Sequence, residues 1–419
     1  MSKRVLCVMV LGITLALAGA VQAAPITWDG GNANWHASNW GGGNPPVAGS
    51  DYVIGGGADG TAYAAGTGFA GDKLTVKSGG VVSVTQDTTA GTDMDLDGGK
   101  IEWLTDWRDL HGLNTVTVLN ASELYGRESA TFQALTALNG SGDLTVTGNG
   151  SDRLMWDVRG GSWSGTMTIE QNAILETPRT SGTAYPAFDN AKVVTKTGGA
   201  LRLESRETSD VFQGDIELRG GALQRTQASA WWDTTVAISG ALDVLEDGSS
   251  VERTSGSGNA RTVHLTGLLG GSGGLSVVNY NLNGQLMTLD LDPASGAGTY
   301  SGIIMVSDDA RLLLSDSAAL PSSGALASAV IQTGGELELA AGVGVQFDDL
   351  TLDGETVPGG VYTSTAHLTS KGISPGAAAL VDFSSNTSIT VSAAGAPIAE
   401  PTGLGLLGLA LMRLRMRKR

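Results

Sequence analysis

The chain has 419 residues with 42 acidic and only 25 basic side chains, which gives a formal net charge of −17. A surface this acidic repels nucleic acid and anionic lipid and excludes the protein classes that bind either of them through basic patches, although it can attract divalent cations or cationic polymers. The 62 glycines, the 11 prolines and the abundant Thr and Val favour short strands joined by glycine turns, and no segment shows a sustained helical period.

Residues 1–23 have the pattern of a secretory signal peptide. Lys3 and Arg4 form a basic start, residues 5–20 are almost wholly apolar, and small residues stand at positions −3 and −1 of a cleavage site after Ala23. An uncleaved N-terminal membrane helix is the alternative. Since the only cysteine lies within this segment, cleavage would leave a mature chain built without disulfides.

Residues 24–60 are rich in tryptophan and predict the N-terminal cap of a solenoid. Trp28, Trp35 and Trp40 lie within 13 residues, and large aromatic side chains can cover a first coil that would otherwise expose its core end-on. The alternative is a platform on which sugar rings stack. It would use exposed faces of Trp35 and Trp40, and of Trp231 further along the chain.

Residues 61–395 contain matched blocks, which indicate an internal duplication. A repeat of this kind that is too small to bury its own apolar face must stack on its neighbours. Three pairs of blocks occur in the same order with offsets of 131, 137 and 136 residues: 140–146 with 271–277, 163–169 with 300–306, and 197–203 with 333–339.

Each block alternates between apolar and polar positions. In 200–203 and 336–339, leucines take every second position, and Arg202 and Glu338 stand between them. This alternation predicts strands with one buried face and one exposed face that carries Arg202 and Glu338, and the preceding Gly-Gly pairs permit a corner with positive φ. The predicted fold is therefore all-β, with a right-handed parallel β-helix over residues 61–395.

Tandem β-sandwich domains are the alternative fold. Sandwiches join their strands by hairpins, and Asn-Gly or Asp-Gly pairs are the usual hairpin signals. Such pairs occur at Asn139-Gly140, Asn149-Gly150 and Asp247-Gly248.

Asp93, Asp95 and Asp97 are the best candidates for a metal site. In a strand all three carboxylates would point to one face, with Met94 and Leu96 on the other. Neighbours at this spacing lie roughly 6.6–7 Å apart, so one calcium ion would need further oxygen ligands from an adjacent coil. A plain acidic face is the alternative.

Residues 396–419 form a second targeting segment. Glu400-Pro401 is followed by an apolar run over residues 402–412, which as a helix would span roughly 16 Å of the ~30 Å hydrocarbon core. Such a run holds a chain at a membrane only transiently, and the basic tail should stay on the cytoplasmic side. The tail comprises Arg413, Arg415, Arg417, Lys418 and Arg419.

The signal peptide, the Gly/Ser/Thr-rich body and this C-terminal segment together resemble the PEP-CTERM sorting class of bacterial exported proteins. The sequence has Ala399-Glu400-Pro401 where the family has Pro-Glu-Pro. The resemblance implies cleavage by signal peptidase, removal of the tail by an exosortase-type membrane protease, and release to the cell surface or the extracellular matrix.

The repeats also resemble the autotransporter-associated β-strand repeat. The similarity lies in an aromatic-Ser-Gly turn before one strand and a Gly-Gly-x-Leu pattern in another, and it is clearest over residues 298–342 and 160–205. It implies a solenoid, because such repeats belong to passenger stalks.

No motif for catalysis is evident. His36, His111, His264 and His367 are scattered without ligand spacing, and there is no nucleophile elbow, phosphate loop or His-Glu-x-x-His helix. The sequence therefore predicts an exported, non-catalytic structural protein that needs no cofactor and whose partner, if any, is extracellular polysaccharide. A carbohydrate-binding protein, or a polysaccharide lyase or hydrolase built on a β-helix, is the alternative.

Overall fold

The computed structural model confirms an all-β solenoid in which the strands of successive coils pair in parallel. The coils turn through two sheets in the N-terminal half and through three sheets in the middle of the chain, and after Gly271 they alternate between the first and the third of these sheets. The structure describes residues 24–57, 60–64, 68–104, 109–126, 130–148, 153–158, 160–176, 188–203, 211–225, 235–254, 260–280 and 285–392.

Sheet 1 holds the stack together from one end to the other. Fourteen consecutive parallel pairings connect its strands from Ile26–Thr27 to Leu350–Leu352. At ~4.8 Å for each pairing, the stack is about 67 Å long. In the described part of the chain the strands of sheet 1 are Ile26–Thr27, Asp51–Ile54, Lys73–Lys77, Thr88–Thr89, Asp93–Asp97, Asp109–Asn120, Ala130–Gly140, Arg153–Val158, Ile174–Glu176, Ala200–Arg202, Ala222–Arg225, Ser249–Arg253, Leu275–Asn279, Ile303–Val306, Ser328–Ile331, Leu350–Leu352 and Glu355–Thr356.

Two further sheets form the other sides of the coil. The strands of sheet 2 are Gly31–Asn34, Gly60–Ala64, Gly80–Val84, Lys100–Trp103, Ser122–Gly126, Leu144–Gly148, Thr166–Ile169, Lys192–Lys196, Asp215–Arg219, Leu242–Glu246 and Leu269–Gly271. Sheet 3 enters later in the chain, with strands Val211–Phe212, Thr235–Ile238, Arg261–Leu265, Met287–Leu291, Ala310–Leu314, Glu336–Leu339 and Val381–Phe383.

The predicted alternative of β-sandwich hairpins is wrong for the pairs that the structure describes. Asp247-Gly248 joins a strand of sheet 2 to a strand of sheet 1, and Asn139-Gly140 ends a strand of sheet 1. Among the described strands, antiparallel ladders occur only in the C-terminal region, where Leu352 faces Glu355 and Val361 faces Thr390. Antiparallel contacts elsewhere in the described residues are single bridges at corners, such as Lys77 with Gly98. Asn149-Gly150 lies outside the described residues.

Apolar side chains stack in columns inside the coils. In sheet 1, Leu201 lies in register between Leu175 and Leu223, and all three are fully buried. In sheet 3, Leu337 follows Leu312 and is fully buried as well. The predicted inward orientation of Leu201 and Leu337 is therefore confirmed, and each column continues the core by one strand spacing for every coil.

Glycines allow the coils to approach each other closely at the corners. A Cβ atom on Gly240 would lie 2.1 Å from the carbonyl oxygen of Gly214 in the preceding coil, and a Cβ on Gly267 would lie 1.9 Å from that of Gly240. Real Cβ atoms do not approach an oxygen this closely, so only glycine fits at these corners. The high glycine content thus follows from the stacking of backbone on backbone.

The structure supports the internal duplication. The Trp163 indole nitrogen donates a hydrogen bond to the Gly142 carbonyl (2.9 Å), and the Tyr300 hydroxyl donates one to the equivalent Gly273 carbonyl (2.7 Å). Gly198 and Gly334, which match each other, have φ angles of 76° and 78°.

The two copies differ in the sheet that each block occupies. Residues 144–148 form a strand of sheet 2, whereas the matching strand Leu275–Asn279 lies in sheet 1. Likewise, Ala200–Arg202 lies in sheet 1 and its match, Glu336–Leu339, lies in sheet 3. Because sheet 3 begins at Val211 and sheet 2 ends at Gly271, the second copy is displaced by one sheet along the path of the chain.

The N-terminal coil is closed by the predicted aromatic cap. Trp40 packs edge-on against Trp28 and Tyr52 with ring centroids 4.8 Å apart in both pairs, and Phe69 lies 5.3 Å from Tyr52. These edge-to-face contacts are the arrangement that aromatic rings prefer in a core. The Trp40 indole nitrogen also donates a hydrogen bond to the Trp35 carbonyl, so the cap contains no exposed indole N–H at this position.

The C-terminal end is closed by elements that the sequence did not predict. A small sheet 4 contains Gly344–Phe347, Gly360–Tyr362 and Ser388–Val391, and helices α1 and α2 span Thr365–Ser370 and Pro375–Ala378. Ser364 and Ser374 cap the two helices through their side-chain hydroxyls. Leu368 of α1 is fully buried, so α1 covers part of the final coil.

The core columns predict unequal effects for the same change at two leucines. We expect L201N to lower the free energy of unfolding by about 3–5 kcal/mol, because the amide would be buried without a partner and a void would remain. Leu245 is 42% exposed, so we expect L245N to change the stability by less than about 0.5 kcal/mol. Denaturant titration of both variants checks this, and equal losses would show that the facing of the strands is wrong.

The glycine corners predict a steric effect of a single methyl group. A Cβ on Gly302 would lie 2.2 Å from the Gly273 carbonyl oxygen, so we expect G302A to destabilise the protein by about 1–3 kcal/mol or more. Gly376 lies in α2 with open space around it, and G376A should be neutral or stabilising. Thermal unfolding of the two variants separates the effect of close approach from a general effect of replacing glycine.

Candidate functional site

The three aspartates of strand Asp93–Asp97 share the outer face of sheet 1, as predicted, with Met94 and Leu96 fully buried on the other side. The adjacent coils bring nitrogen groups to this face. The Lys73 ammonium lies 2.6 Å from Asp95 Oδ2, and the Asn120 side-chain amide donates a hydrogen bond to Asp97 Oδ1 (2.5 Å).

These contacts argue against calcium at Asp93, Asp95 and Asp97. Calcium takes six to eight oxygen ligands, whereas the neighbouring coils supply an ammonium and an amide N–H. Across the described ranges, no three His, Cys, Asp or Glu side chains are grouped so that they could hold a metal ion. The carboxylates join one coil to the next through pairs with Lys73 and Asn120.

Trp35 and Trp40 do not form a sugar-stacking platform. Both are 0% exposed, and a pyranose ring needs an accessible aromatic face. The prediction that they present such a face is wrong, because the first coil uses them to cover its core. The other tryptophan of this hypothesis, Trp231, lies outside the described residues.

The predicted processing residues also lie outside the part of the chain that the structure describes. They are Ala23, Glu400, Pro401, Arg413, Arg415, Arg417, Lys418 and Arg419. Neither helix in the described part has the length and the apolar character needed to cross a bilayer.

Arg202 is not the exposed side chain that the alternation predicted. Its guanidinium donates hydrogen bonds to Glu176 Oε2 (3.2 Å) and to Gln224 Oε1 (2.9 and 3.2 Å), and its side chain is only 13% exposed. Gln224 in turn donates to Glu252 Oε1 (2.7 Å). These four residues form a buried polar ladder across the outer face of sheet 1.

The contacts of the polar ladder are those of a structural element that joins coils. Glu176 is fully buried and Glu252 is 8% exposed, and burial raises the pKa of Glu252 although Gln224 and Ser250 donate hydrogen bonds to it. Each member contacts the member in the adjacent coil. The ladder therefore ties four coils together through groups that would be costly to leave unpaired.

Glu338, the counterpart of Arg202 in the second copy, is more open. Its carboxylate lies 2.6 Å from Arg311 Nη1, and its side chain is 25% exposed. Arg311 also pairs with Glu336 at 2.8 Å. The two matched polar positions thus have different surroundings, since they lie on different sheets.

A histidine on sheet 3 lies next to two carboxylates, an arrangement that resembles part of a catalytic site. His264 Nδ1 lies 2.6 Å from Asp290 Oδ2, and Asp292 Oδ2 lies 3.8 Å from Nε2. The hydrogen bond with Asp290, reinforced by the charge of Asp292, raises the pKa of His264. Ser315 donates its hydroxyl hydrogen to Asp290 Oδ1 (2.6 Å) rather than to the imidazole. The histidine therefore does not activate this serine as a nucleophile.

Sequence reasoning also missed a charged group on the outer face of sheet 2. Lys100, Glu102, Glu123 and Tyr125 come together there from two adjacent strands. The signal available in the sequence was the strict alternation of these polar residues with apolar, inward-facing residues such as Ile101. It shows that these side chains face outward but not which residues of the next coil they meet.

Comparison of the chain with protein-family models finds no match, and comparison with curated proteins and with solved structures finds none either. The arguments for a function are therefore the predicted targeting segments and the geometry of the rod. The described geometry offers inter-coil ion pairs, a buried polar ladder and a histidine with two carboxylates.

The His264 cluster predicts a pH-dependent stability. Because the pKa of His264 is raised in the folded state, the stabilisation is fully present below its ordinary pKa of 6.5 and is lost as the pH rises through the folded pKa. We expect the free energy of unfolding of the wild type to exceed that of H264Q by about 0.5–1 kcal/mol at about pH 5.5, and by less at about pH 8.5. Urea unfolding at both pH values measures this. The control is H367Q, and a pH-independent difference for H264Q would contradict the assignment.

Proposed function

We propose that the chain is an exported, non-catalytic structural protein of the cell surface or the extracellular matrix. The supporting observation is a continuous stack of coils between the aromatic cap around Trp40 and the C-terminal cap around Leu368. Solenoids without caps expose their core at the ends and associate. A rod that is closed at both ends is suited to act as a separate, soluble spacer in a polymer layer.

The targeting segments supply the location in this proposal. Signal peptidase cleaves after Ala23, and the apolar run at residues 402–412 holds the C-terminus at the membrane until an exosortase-type protease acts near Glu400-Pro401. The run is too short for a stable membrane anchor. Removal of the tail releases the rod, which then lies among the polymers outside the cell.

A polysaccharide lyase or hydrolase on the same fold is the competing proposal. Such an enzyme needs two carboxylates, or an acid and a base, on both sides of one scissile bond. The Asp93–Asp97 face does not favour this, because Asp95 and Asp97 are engaged by Lys73 and Asn120. The fold alone does not decide between the two proposals.

The proposal predicts the termini of the secreted protein. We expect the mature chain to begin at Ala24 and to lack all residues from Arg413 to Arg419, because both ends are processing signals. Intact-mass measurement of protein from the medium and from the cell surface checks this. A variant with Glu400 and Pro401 replaced by alanine should stay with the cell.

Two results would contradict the proposal. Secreted protein that still carries Arg413 to Arg419 would refute processing at the C-terminal segment. Release of reducing ends or unsaturated sugars from a panel of glycans would refute the non-catalytic role, provided that the product disappears in a matched preparation without the protein.

A further inference from the structure

A groove follows the outer face of sheet 2 along the axis of the rod. Its volume is about 700 Å³, and it crosses five successive coils from Gly80 to Glu170, a length of ~19 Å at one strand spacing per coil. The glycine pairs 79–80 and 98–99 line one end of the groove. A Cβ atom at Gly80 or at Gly99 would clash with the preceding coil. The fold therefore requires glycine at both positions, and no side chain fills this end of the groove.

The groove holds an ammonium group of the protein itself. Lys100 Nζ lies 3.5 Å from Glu102 Oε2, 3.5 Å from Glu123 Oε1 and 4.7 Å from the centre of the Tyr125 ring. Two carboxylates and an aromatic face are the groups that bind ammonium ions in proteins. The position of Lys100 therefore shows which chemistry this part of the groove recognises.

A second ammonium lies at the far end of the groove. Lys196 Nζ is 2.6 Å from Glu170 Oε1, and both side chains are at least one-third exposed. The two ammonium groups are thus held by carboxylates at separate points along one axis. A linear polymer with repeated amino groups would meet the same two points.

Exchange of these lysines for an external ammonium is energetically easy. The Lys196–Glu170 pair is exposed, at 47% and 33%, and exposed ion pairs contribute little net stability. Lys100 is half-buried, but its ammonium lies as far as 3.5 Å from each of its two carboxylates. The lysines can therefore swing into water while a ligand takes their place. The net charge of −17 also raises the local concentration of any polycation.

We propose that this groove binds a cationic amino-sugar polymer. The inference rests on the proposed function, since it names the matrix component that the rod would contact. Amino groups of the polymer would lie beside Glu123 and beside Glu170, which both line the groove. The Thr147 hydroxyl donates a hydrogen bond to Glu123 Oε1 (2.7 Å) and so orients this carboxylate, and Thr145, which also lines the groove, offers a hydroxyl to the sugar. A basic peptide fits less well. The strands beneath the groove are paired on both sides, so no sheet edge is free to bind a peptide backbone.

The test uses a glucosamine hexamer as the probe and titration calorimetry on the folded mature rod. We expect E123Q and E170Q each to weaken binding by about three- to fivefold, because each removes one exposed ion pair. K100M should have the opposite effect and tighten binding by a similar factor, because it vacates the ammonium position. Circular dichroism and thermal unfolding confirm that each variant is folded.

Matched controls separate the groove from the general charge of the protein. E336Q on sheet 3 changes the net charge as E123Q does, and K371M beside α1 changes it as K100M does; Glu336 pairs with Arg311, away from the groove. Neither control should change the affinity by more than about twofold. Equal effects of E123Q and E336Q, or weaker binding by K100M, would overturn the proposal.

Two further probes define the ligand class. Equal affinity for the N-acetylated, uncharged hexamer would overturn recognition of ammonium groups. Oligolysine that binds as tightly, with the same dependence on E123Q, would overturn the assignment to a sugar. Absence of binding in protein that has the expected mature mass would refute this inference alone and leave the proposed function unchanged.

Discussion

The stacking of one backbone on the next at a fixed ~4.8 Å is the constraint on which the rest of the molecule depends. Every coil must return the chain to corners that stack on those of the coil before it, and at several of these corners the preceding coil leaves no room for a side chain. Gly142 and Gly165 form such a pair, as do Gly273 and Gly302, each with a hypothetical Cβ about 2 Å from a carbonyl oxygen. The sequence is rich in glycine because the corners require it.

The same constraint sets the contacts of the outward side chains. A side chain on the outer face has its nearest neighbours one coil above and one coil below, so its partners come from about 20 to 30 residues away in the sequence. Lys73 with Asp95, Arg202 with Glu176, and Arg311 with Glu336 all follow this rule.

The inward half of the structure was predictable because it depends on local pattern. Alternation placed Leu201 and Leu337 inside, and the cluster of tryptophans predicted a cap. Gly-Gly pairs correctly marked the corners. These features need only the period of a strand and the size of a side chain.

The outward half could not be predicted from one sequence, because register between coils decides it. Alternation correctly assigned Arg202 to the outer face but implied that it is exposed, whereas Glu176 and Gln224 of the neighbouring coils enclose it. Because the sequence does not reveal the register between coils, the Lys73–Asp95 pair could not be predicted, and calcium was a reasonable hypothesis. Helix α1 escaped detection because six residues are too few for a helical period to emerge.

In the proposed role in a polymer layer, the rod would not need a deep pocket. Coils at a constant spacing present outward groups at regular intervals, so a linear polymer can make several weak contacts in a row. Each exposed ion pair contributes little alone, but contacts on one tether reinforce each other through effective concentration. Shallow, paired charges such as those around Lys100 and Lys196 suit this mode of binding, in which affinity grows with the number of coils engaged and remains reversible at each one.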